Sequence, residues 1–159
     1  MTARVGLGID FHRLAPGRPL VLGGVLIPHP TGLAGHSDAD VLLHAVSDSL
    51  LGAAGRGDIG THFPDTDPST LGISSVTLLA AVMNRIATAG WRVANVDCVV
   101  IAEEPRLAPF FAQMQSTISS VLGVSPECVG LKATTSEGMG ALGRREGIAA
   151  LAVSLIERA

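Results

Sequence analysis

The stretch Arg4-Val5-Gly6-Leu7-Gly8-Ile9-Asp10-Phe11-His12 alternates large apolar residues with small or polar ones. A period of two is the signature of a β-strand. It places Val5, Leu7, Ile9 and Phe11 on one face and carries Asp10 and His12 together on the other. Just downstream, Leu20-Val21-Leu22 and Val25-Leu26-Ile27 flank Gly23-Gly24, a strong hairpin signal, and Pro28 and Pro30 end that unit.

Further along, the period lengthens. Ser37 or Asp38 can cap a helix over residues 39–54, whose Leu42, Leu43, Val46, Leu50 and Leu51 form a broad apolar face. Residues 55–72 are rich in glycine, proline and aspartate and carry no convincing regular element; a long loop bearing acids points to function. A second helix runs from Ser74 or Ser75 through Ala89, with Gly90 as its stop. Trp91 to Ala102 reads as a strand, and a third helix follows from about Leu107 to Leu122 with Pro109 in its first turn. Ser125-Pro126 starts one helical turn, Val129 to Thr134 is a strand, and the alanine-rich Ile148 to Ile156 is read as a terminal strand. The expectation is one α+β domain over residues 1–159, a mixed sheet covered by helices.

Composition sets the outer limits. At 159 residues the chain is long enough for one core, and two cores would each be marginal. Mean hydropathy is +0.44, yet Ser47 and Asp48 interrupt one apolar stretch and Asn95 and Asp97 another. Nothing approaches the run of about 18 apolar residues that a spanning helix needs, so no membrane partner is expected. The N-terminus lacks the basic-then-apolar layout of a leader. Net charge is −3 and Lys132 is the only lysine, so no basic run could track a nucleic acid. Cys98 and Cys128 lie in apolar, strand-like surroundings and are expected as buried free thiols, in keeping with a reducing cytoplasm.

Charge placement says more than its total. All five histidines fall within the first 62 residues, and seven of eight aspartates by Asp67, which marks one region as a site. Asp10 offers a hard oxygen, His12 an imidazole nitrogen, and His44 on the first helix a second nitrogen. That set suits zinc or another divalent metal tolerant of mixed ligands. Asp40 and Asp48 each stand four residues from His44; a site role is expected for Asp40 and a solvent-facing one for Asp48. Ser37 and the free amides at the helix start could meet phosphate, with His36 complementing its charge. In the loop Asp58-Ile59-Gly60-Thr61-His62-Phe63-Pro64-Asp65-Thr66-Asp67-Pro68, an acid could accept hydroxyls of a polyol. Lys132-Ala133-Thr134-Thr135-Ser136-Glu137 combines hydroxyl donors with a carboxylate suited to a second cation, without the frame of a Walker loop. His29 has no partner pattern and is read as a loop residue.

Taken in order, Gly8-Ile9-Asp10-Phe11-His12, the run from Ala34 to Ala45, Gly57-Asp58-Ile59-Gly60 with Phe63 to Pro68, and Lys132 to Glu137 resemble the 2-C-methyl-D-erythritol 2,4-cyclodiphosphate synthase family. Gly143-Arg144 and Glu146-Gly147 add a terminal marker. The resemblance implies zinc on Asp10, His12 and His44, and magnesium or manganese at the diphosphate with help from Glu137. It implies catalytic roles at the phosphates for His36 and Thr135, phosphate contact by Ser37, and nucleotide-diphosphate contacts by Thr134, Thr135 and Ser136. Asp58 would recognise erythritol hydroxyls within a substrate loop that includes Ile59, Gly60, Phe63, Asp65 and Asp67. Ala102, Pro105, Arg106, Leu107 and Ala108 would form the pocket of a cytidine diphosphate substrate. It further implies a homotrimer with sites between subunits, and Arg144 facing a central cavity for an isoprenoid phosphate on the threefold axis. Ala141 stands where the family often has an aromatic residue, and Arg145 where a small one is common.

Two other functions could use the same residues. A metal-dependent phosphohydrolase would activate water and release phosphate, and a nucleotide or metal sensor would bind cytidine nucleotide without turnover.

Overall fold

A computed structural model describes residues 2–64 and 66–159. The opening strand β1 (Ala3–Pro16) pairs along most of its length with the last strand, β7 (Gly147–Arg158), placing Asp10 opposite Ala150 and His12 opposite Ile148. On its other edge β7 pairs antiparallel with β5 (Trp91–Ile101), and β5 pairs parallel with β6 (Val129–Thr134). A short β4 (Thr31–Leu33) closes the near edge, giving the order β4-β1-β7-β5-β6. The sheet is mixed, and the terminal strand lies at its centre. Leu20–Leu22 (β2) and Val25–Ile27 (β3) form the expected separate hairpin, turned through Gly23 and Gly24, both at positive φ.

Helix α1 (Val41–Ala54) packs against β1 and β7. Leucine, valine and alanine are buried nearly all round it, as a helix in the middle of a fold requires. Its cap corrects the expectation. The N-cap is Asp40, whose carboxylate accepts from the Leu43 amide, while Ser37 and Asp38 lie further upstream. Both were plausible from residue type, but the chain turns at Ala39 through a positive φ of 59°, so the helix cannot begin before it.

The acidic loop holds more structure than its composition suggested: a single-turn α2 (Ile59–His62) capped by Asp58, then a 3₁₀ turn over Pro68–Thr70 capped by Asp67. Helix α3 (Ser75–Thr88) starts at its Ser74 cap. Pro109 lies in a 3₁₀ turn, Ala108–Phe110, just before α4 (Phe111–Leu122) rather than inside it. A single turn, α5 (Gly140–Gly143), precedes β7. Cys98 is buried and Cys128 only half-buried, and both are free. No helix among the described residues is long and apolar enough to cross a membrane.

The two faces of β1 have opposite fates. The glycine face meets α1 so closely that a Cβ on Gly8 would sit 2.0 Å from the Ala45 carbonyl oxygen, and one on Gly6 1.9 Å from that of Ser49. The apolar face is open: Val5 is 66 % exposed, Leu7 60 % and Phe11 64 %, with Val153 of neighbouring β7 also exposed. Burial therefore follows the space between strand and helix rather than side-chain hydrophobicity.

Adding one methyl at that contact should be costly. Gly8→Ala should destabilise by about 1–3 kcal/mol or more, because backbone must move. Gly52→Ala, in α1 with open space around its Cβ position, should stabilise by about 0.4–1 kcal/mol. Urea unfolding of the two variants checks the contrast; equal effects would show that the strand–helix contact is not tight.

Candidate functional site

Because β1 alternates, Asp10 and His12 project from the glycine face toward α1, one turn from where Gly8 touches Ala45. There they meet His44. Asp10 Oδ2 lies 2.9 Å from His12 Nε2 and 3.0 Å from His44 Nδ1, and the two nitrogens are 3.1 Å apart. Three ligand-type atoms thus form a nearly equilateral triangle, the only such group of three among the described residues. A tetrahedral zinc with bonds near 2.0–2.1 Å sets its ligand atoms about 3.3 Å apart, so this triangle is slightly smaller than one face of that tetrahedron. The other ring atoms suit that use. His12 Nδ1 donates to the Ala34 carbonyl at 2.6 Å, which leaves Nε2 free to ligate. Gly35 keeps room for the ring, since a Cβ there would sit 3.0 Å from His12 Cε1.

Burial pushes the Asp10 carboxyl up, but the hydrogen bonds and charges of His12 and His44 prevail and hold it well below the usual carboxylate range. For His12, burial disfavours the charged ring; the Asp10 carboxylate outweighs it and raises the pKa above the ordinary 6.5. The triad is therefore an anionic oxygen with two imidazole nitrogens beside it, a donor set matched to a divalent cation.

A cleft of about 240 Å³ opens on these ligands and is also lined by His36, Ser37, Ile59, Gly60 and Phe63. Ser37 Oγ accepts from the Ala39 amide and lies 3.2 Å from His44 Nε2. Ser75 Oγ lies 3.0 Å from the same nitrogen. His36 Nε2 is 3.3 Å from the Asp67 carbonyl oxygen. Asp58 borders this cleft in sequence but does not line it: exposed, it caps α2 by accepting from the Thr61 amide and hydroxyl at 2.8 and 2.7 Å. Those bonds lower its pKa and keep it ionised. Asp67 likewise caps a turn, accepting from Ser69. Asp65 lies outside the described residues.

Two neighbouring acids reverse their expected roles. Asp40 does not reach a ligand: wholly buried, it accepts from the amides of Gly23, Gly24 and Leu43, tying the hairpin to the start of α1. Burial pushes its pKa up to about 6 against those three donors. Asp48 is no solvent-facing acid, since its carboxylate accepts from the Ile59 amide at 2.8 Å and ties α2 to α1. Both roles depend on contacts between segments far apart in sequence.

A second pocket gathers Ala102, Pro105, Arg106, Leu107 and Ala108 with Thr134 and Thr135, together with Glu103, Phe111 and Ala133, which sequence reasoning missed. Glu103 accepts from the Ser136 amide and hydroxyl and from the Gly138 amide, framing the turn in which Glu137 adopts φ 54°. Glu137 is exposed beside this pocket and stands apart from the Asp10 triad. The two pockets share no lining residue. Arg144 pairs with Glu146 at 2.7 Å and Arg145 with Glu104 at 3.3 Å, so the neighbouring arginines engage different acids. His29 is held locally, its Nδ1 2.9 Å from the Thr31 carbonyl oxygen.

This α+β fold sets a triad able to hold a metal ion beside an open cleft, and the chain belongs to the YgbB family, whose model matches residues 3–157. It is 60 % identical over 156 residues to a protein of Syntrophomonas wolfei named 2-C-methyl-D-erythritol 2,4-cyclodiphosphate synthase, covering 98 % of this chain and 99 % of that one. A protein of the same name from Dechloromonas aromatica is 56 % identical over 158 residues, covering 99 % of each. A solved 2C-methyl-D-erythritol-2,4-cyclodiphosphate synthase in its CDP-bound form superimposes with a TM-score of 0.89 at 39 % identity, over 97 % of this chain and 100 % of that one.

Metal affinity should depend on pH through His12, which must lose its proton before Nε2 can ligate. With its pKa raised above 6.5, zinc affinity should already fall as pH drops from neutral, by about tenfold per unit below that pKa. Chelator competition between pH 5.5 and 8.5 measures this; a flat profile would contradict the assignment.

Proposed function

We propose that the chain converts 4-diphosphocytidyl-2-C-methyl-D-erythritol 2-phosphate to 2-C-methyl-D-erythritol 2,4-cyclodiphosphate and CMP, in the non-mevalonate route to isoprenoid precursors. The observation that carries this is the Asp10–His12–His44 triad opening on the cleft of His36 and Ser37, in a chain whose full-length relatives bear that enzyme's name. An oxygen of the substrate's 2-phosphate attacks the β-phosphorus, the bond to the bridging oxygen of CMP breaks, and CMP leaves with that oxygen. Both reacting groups belong to one molecule, so the protein's task is to fold it and to answer its charge.

Bound divalent cations, zinc on Asp10, His12 and His44 and magnesium or manganese near Glu137, would neutralise and polarise phosphate oxygens. The chain's own residues do the rest. Ser37, its oxygen already accepting from the Ala39 amide, keeps a hydroxyl proton to donate to a phosphate oxygen. His36 and Thr135 donate from the two sides of the diphosphate and stabilise the charge gathered in the transition state. Asp58 accepts erythritol hydroxyls, while Ile59, Gly60 and Phe63 wall the polyol. Ala102, Pro105, Arg106, Leu107 and Ala108 hold the cytosine, and Thr134, Thr135 and Ser136 its diphosphate. The CDP-bound relative supports a cytidine nucleotide in this role.

A homotrimer follows from the same reading. In this reading one substrate touches two pockets that share no lining residue within a chain, and a neighbouring chain supplies the second half of each site. The open apolar face of Val5, Leu7, Ile9, Phe11 and Val153 supplies area for that association. Arg144 is the residue proposed to hold an isoprenoid phosphate on the axis, and the free thiols suit a cytoplasmic setting.

Incubation with the diphosphocytidyl substrate, zinc and magnesium should yield CMP and cyclic diphosphate in equal amounts; release of inorganic phosphate instead would replace this reading with hydrolysis. His44→Gln and Asp10→Asn should each lower zinc content and cut CMP formation by at least about 100-fold, in line with losing a first-sphere ligand. Their oligomeric mass should stay that of the unaltered protein. Full activity in a zinc-free variant would remove the metal role, and activity lost only through dissociation would make these residues structural.

A further inference from the structure

His44 offers Nδ1 to the triad, but a neutral imidazole carries its proton on either nitrogen, and only one tautomer leaves Nδ1 with a lone pair. The far side of the ring pulls toward that tautomer. His44 Nε2 lies 3.0 Å from Ser75 Oγ. Ser75 Oγ in turn makes a short hydrogen bond to Asp38 Oδ1, and the Ser75 amide donates to Asp38 Oδ2 at 3.0 Å. Ser75 is wholly buried and His44 nearly so.

The protons can be assigned in order. An ionised carboxylate only accepts, so the Ser75 hydroxyl donates to Asp38. That leaves only lone pairs on Ser75 Oγ toward His44 Nε2, so this side of the ring favours the Nε2–H form, against the Asp10 carboxylate 3.0 Å from Nδ1, which favours Nδ1–H. A metal on Nδ1 would replace the proton that Asp10 otherwise holds there, and Nε2–H then donates to Ser75. We propose that Asp38 and Ser75 form a positioning relay that biases His44 toward the tautomer able to bind metal through Nδ1. The relay rests on the reading of Asp10, His12 and His44 as a metal centre. It differs from the support of His12, where a backbone carbonyl does the same work directly. It also has a second consequence. With Ser75 as an acceptor for His44, the Ser37 hydroxyl 3.2 Å from that nitrogen keeps its proton for a ligand in the cleft.

A purely structural role for Asp38 would be to cap α3, and Ser75→Ala separates the two, since the amide that Asp38 caps remains while the relay hydroxyl is gone. Asp38→Asn keeps a carbonyl for the cap but lets its amide donate to Ser75, which frees the serine hydroxyl to donate to His44 and reverses the relay. In metal-free protein at pH 8.5, long-range nitrogen–proton NMR of the histidine rings should show a larger Nε2–H fraction for His44 in the unaltered protein than in Ser75→Ala. In Ser75→Ala and Asp38→Asn that fraction should fall, and the zinc dissociation constant should rise about 10–100-fold, the usual effect of losing an outer-shell partner. A His44 Nε2–H fraction no higher in the unaltered protein than in folded Ser75→Ala overturns the proposal. So does unchanged zinc affinity in folded Ser75→Ala. Failure of the unaltered protein to bind zinc would instead strike the metal reading, and the tautomer would still report on the relay.

Discussion

The site depends on how closely strand β1 and helix α1 approach each other. Gly6 and Gly8 let the helix backbone rest on the strand with no side chain between them. That distance is what allows His44, one residue before the Ala45 carbonyl that touches Gly8, to reach side chains two and four residues further along the strand. Interiors are packed at crystal-like density, so a strand–helix separation set at one point is carried along the whole contact. Small residues continue the arrangement on the neighbouring strand, where Ala150, Ala152 and Ser154 lie beside Asp10, Gly8 and Gly6 and are fully buried. Ser49 of α1 and Ser154 of β7 are joined by a short hydrogen bond beneath this floor.

The segment between Ala34 and Asp40 is held just as firmly from the other side. Ala39 adopts a left-handed conformation that a residue with a Cβ occupies at some cost. Its neighbours hold it there: Asp40 by three backbone amides, Asp38 through the start of α3, and Ser37 by the Arg18 guanidinium on its carbonyl at 2.8 Å. Burying a carboxylate as deeply as Asp40 is unfavourable unless donors surround it. Here they do, and hairpin, loop and helix start become one unit. The result is that Ser37 and Ser75 converge on one edge of His44 while Asp10 and His12 meet the other.

Much of this was legible in the sequence, and the boundary has a physical cause. Strand alternation placed Asp10 with His12 because a period of two is a local property of the backbone. The helix carrying His44, its approximate limits and the Gly23-Gly24 turn follow from equally local rules. Local rules pointed to Ser37 or Asp38 as the cap and missed Asp40, because the deciding feature is the φ of Ala39. Nor could they assign Asp40 and Asp48, whose partners include amides 11 to 17 residues away. Ser75 was hidden by its position: a serine at a helix start is fully explained by capping until His44 is found beside it. Glu103 and Phe111 join the second pocket through folding alone. The family motifs gathered the remaining residues because they record such long-range contacts as ordered strings.

The most direct test of the account is to determine the atoms around a bound metal, by anomalous diffraction at the zinc edge on crystals grown with zinc. The account predicts one ion bonded to Asp10 Oδ2, His12 Nε2 and His44 Nδ1 at about 2.0–2.2 Å, with a fourth position open to the cleft of His36 and Ser37. Zinc ligated through His44 Nε2, or bound elsewhere with the triad untouched, would contradict it.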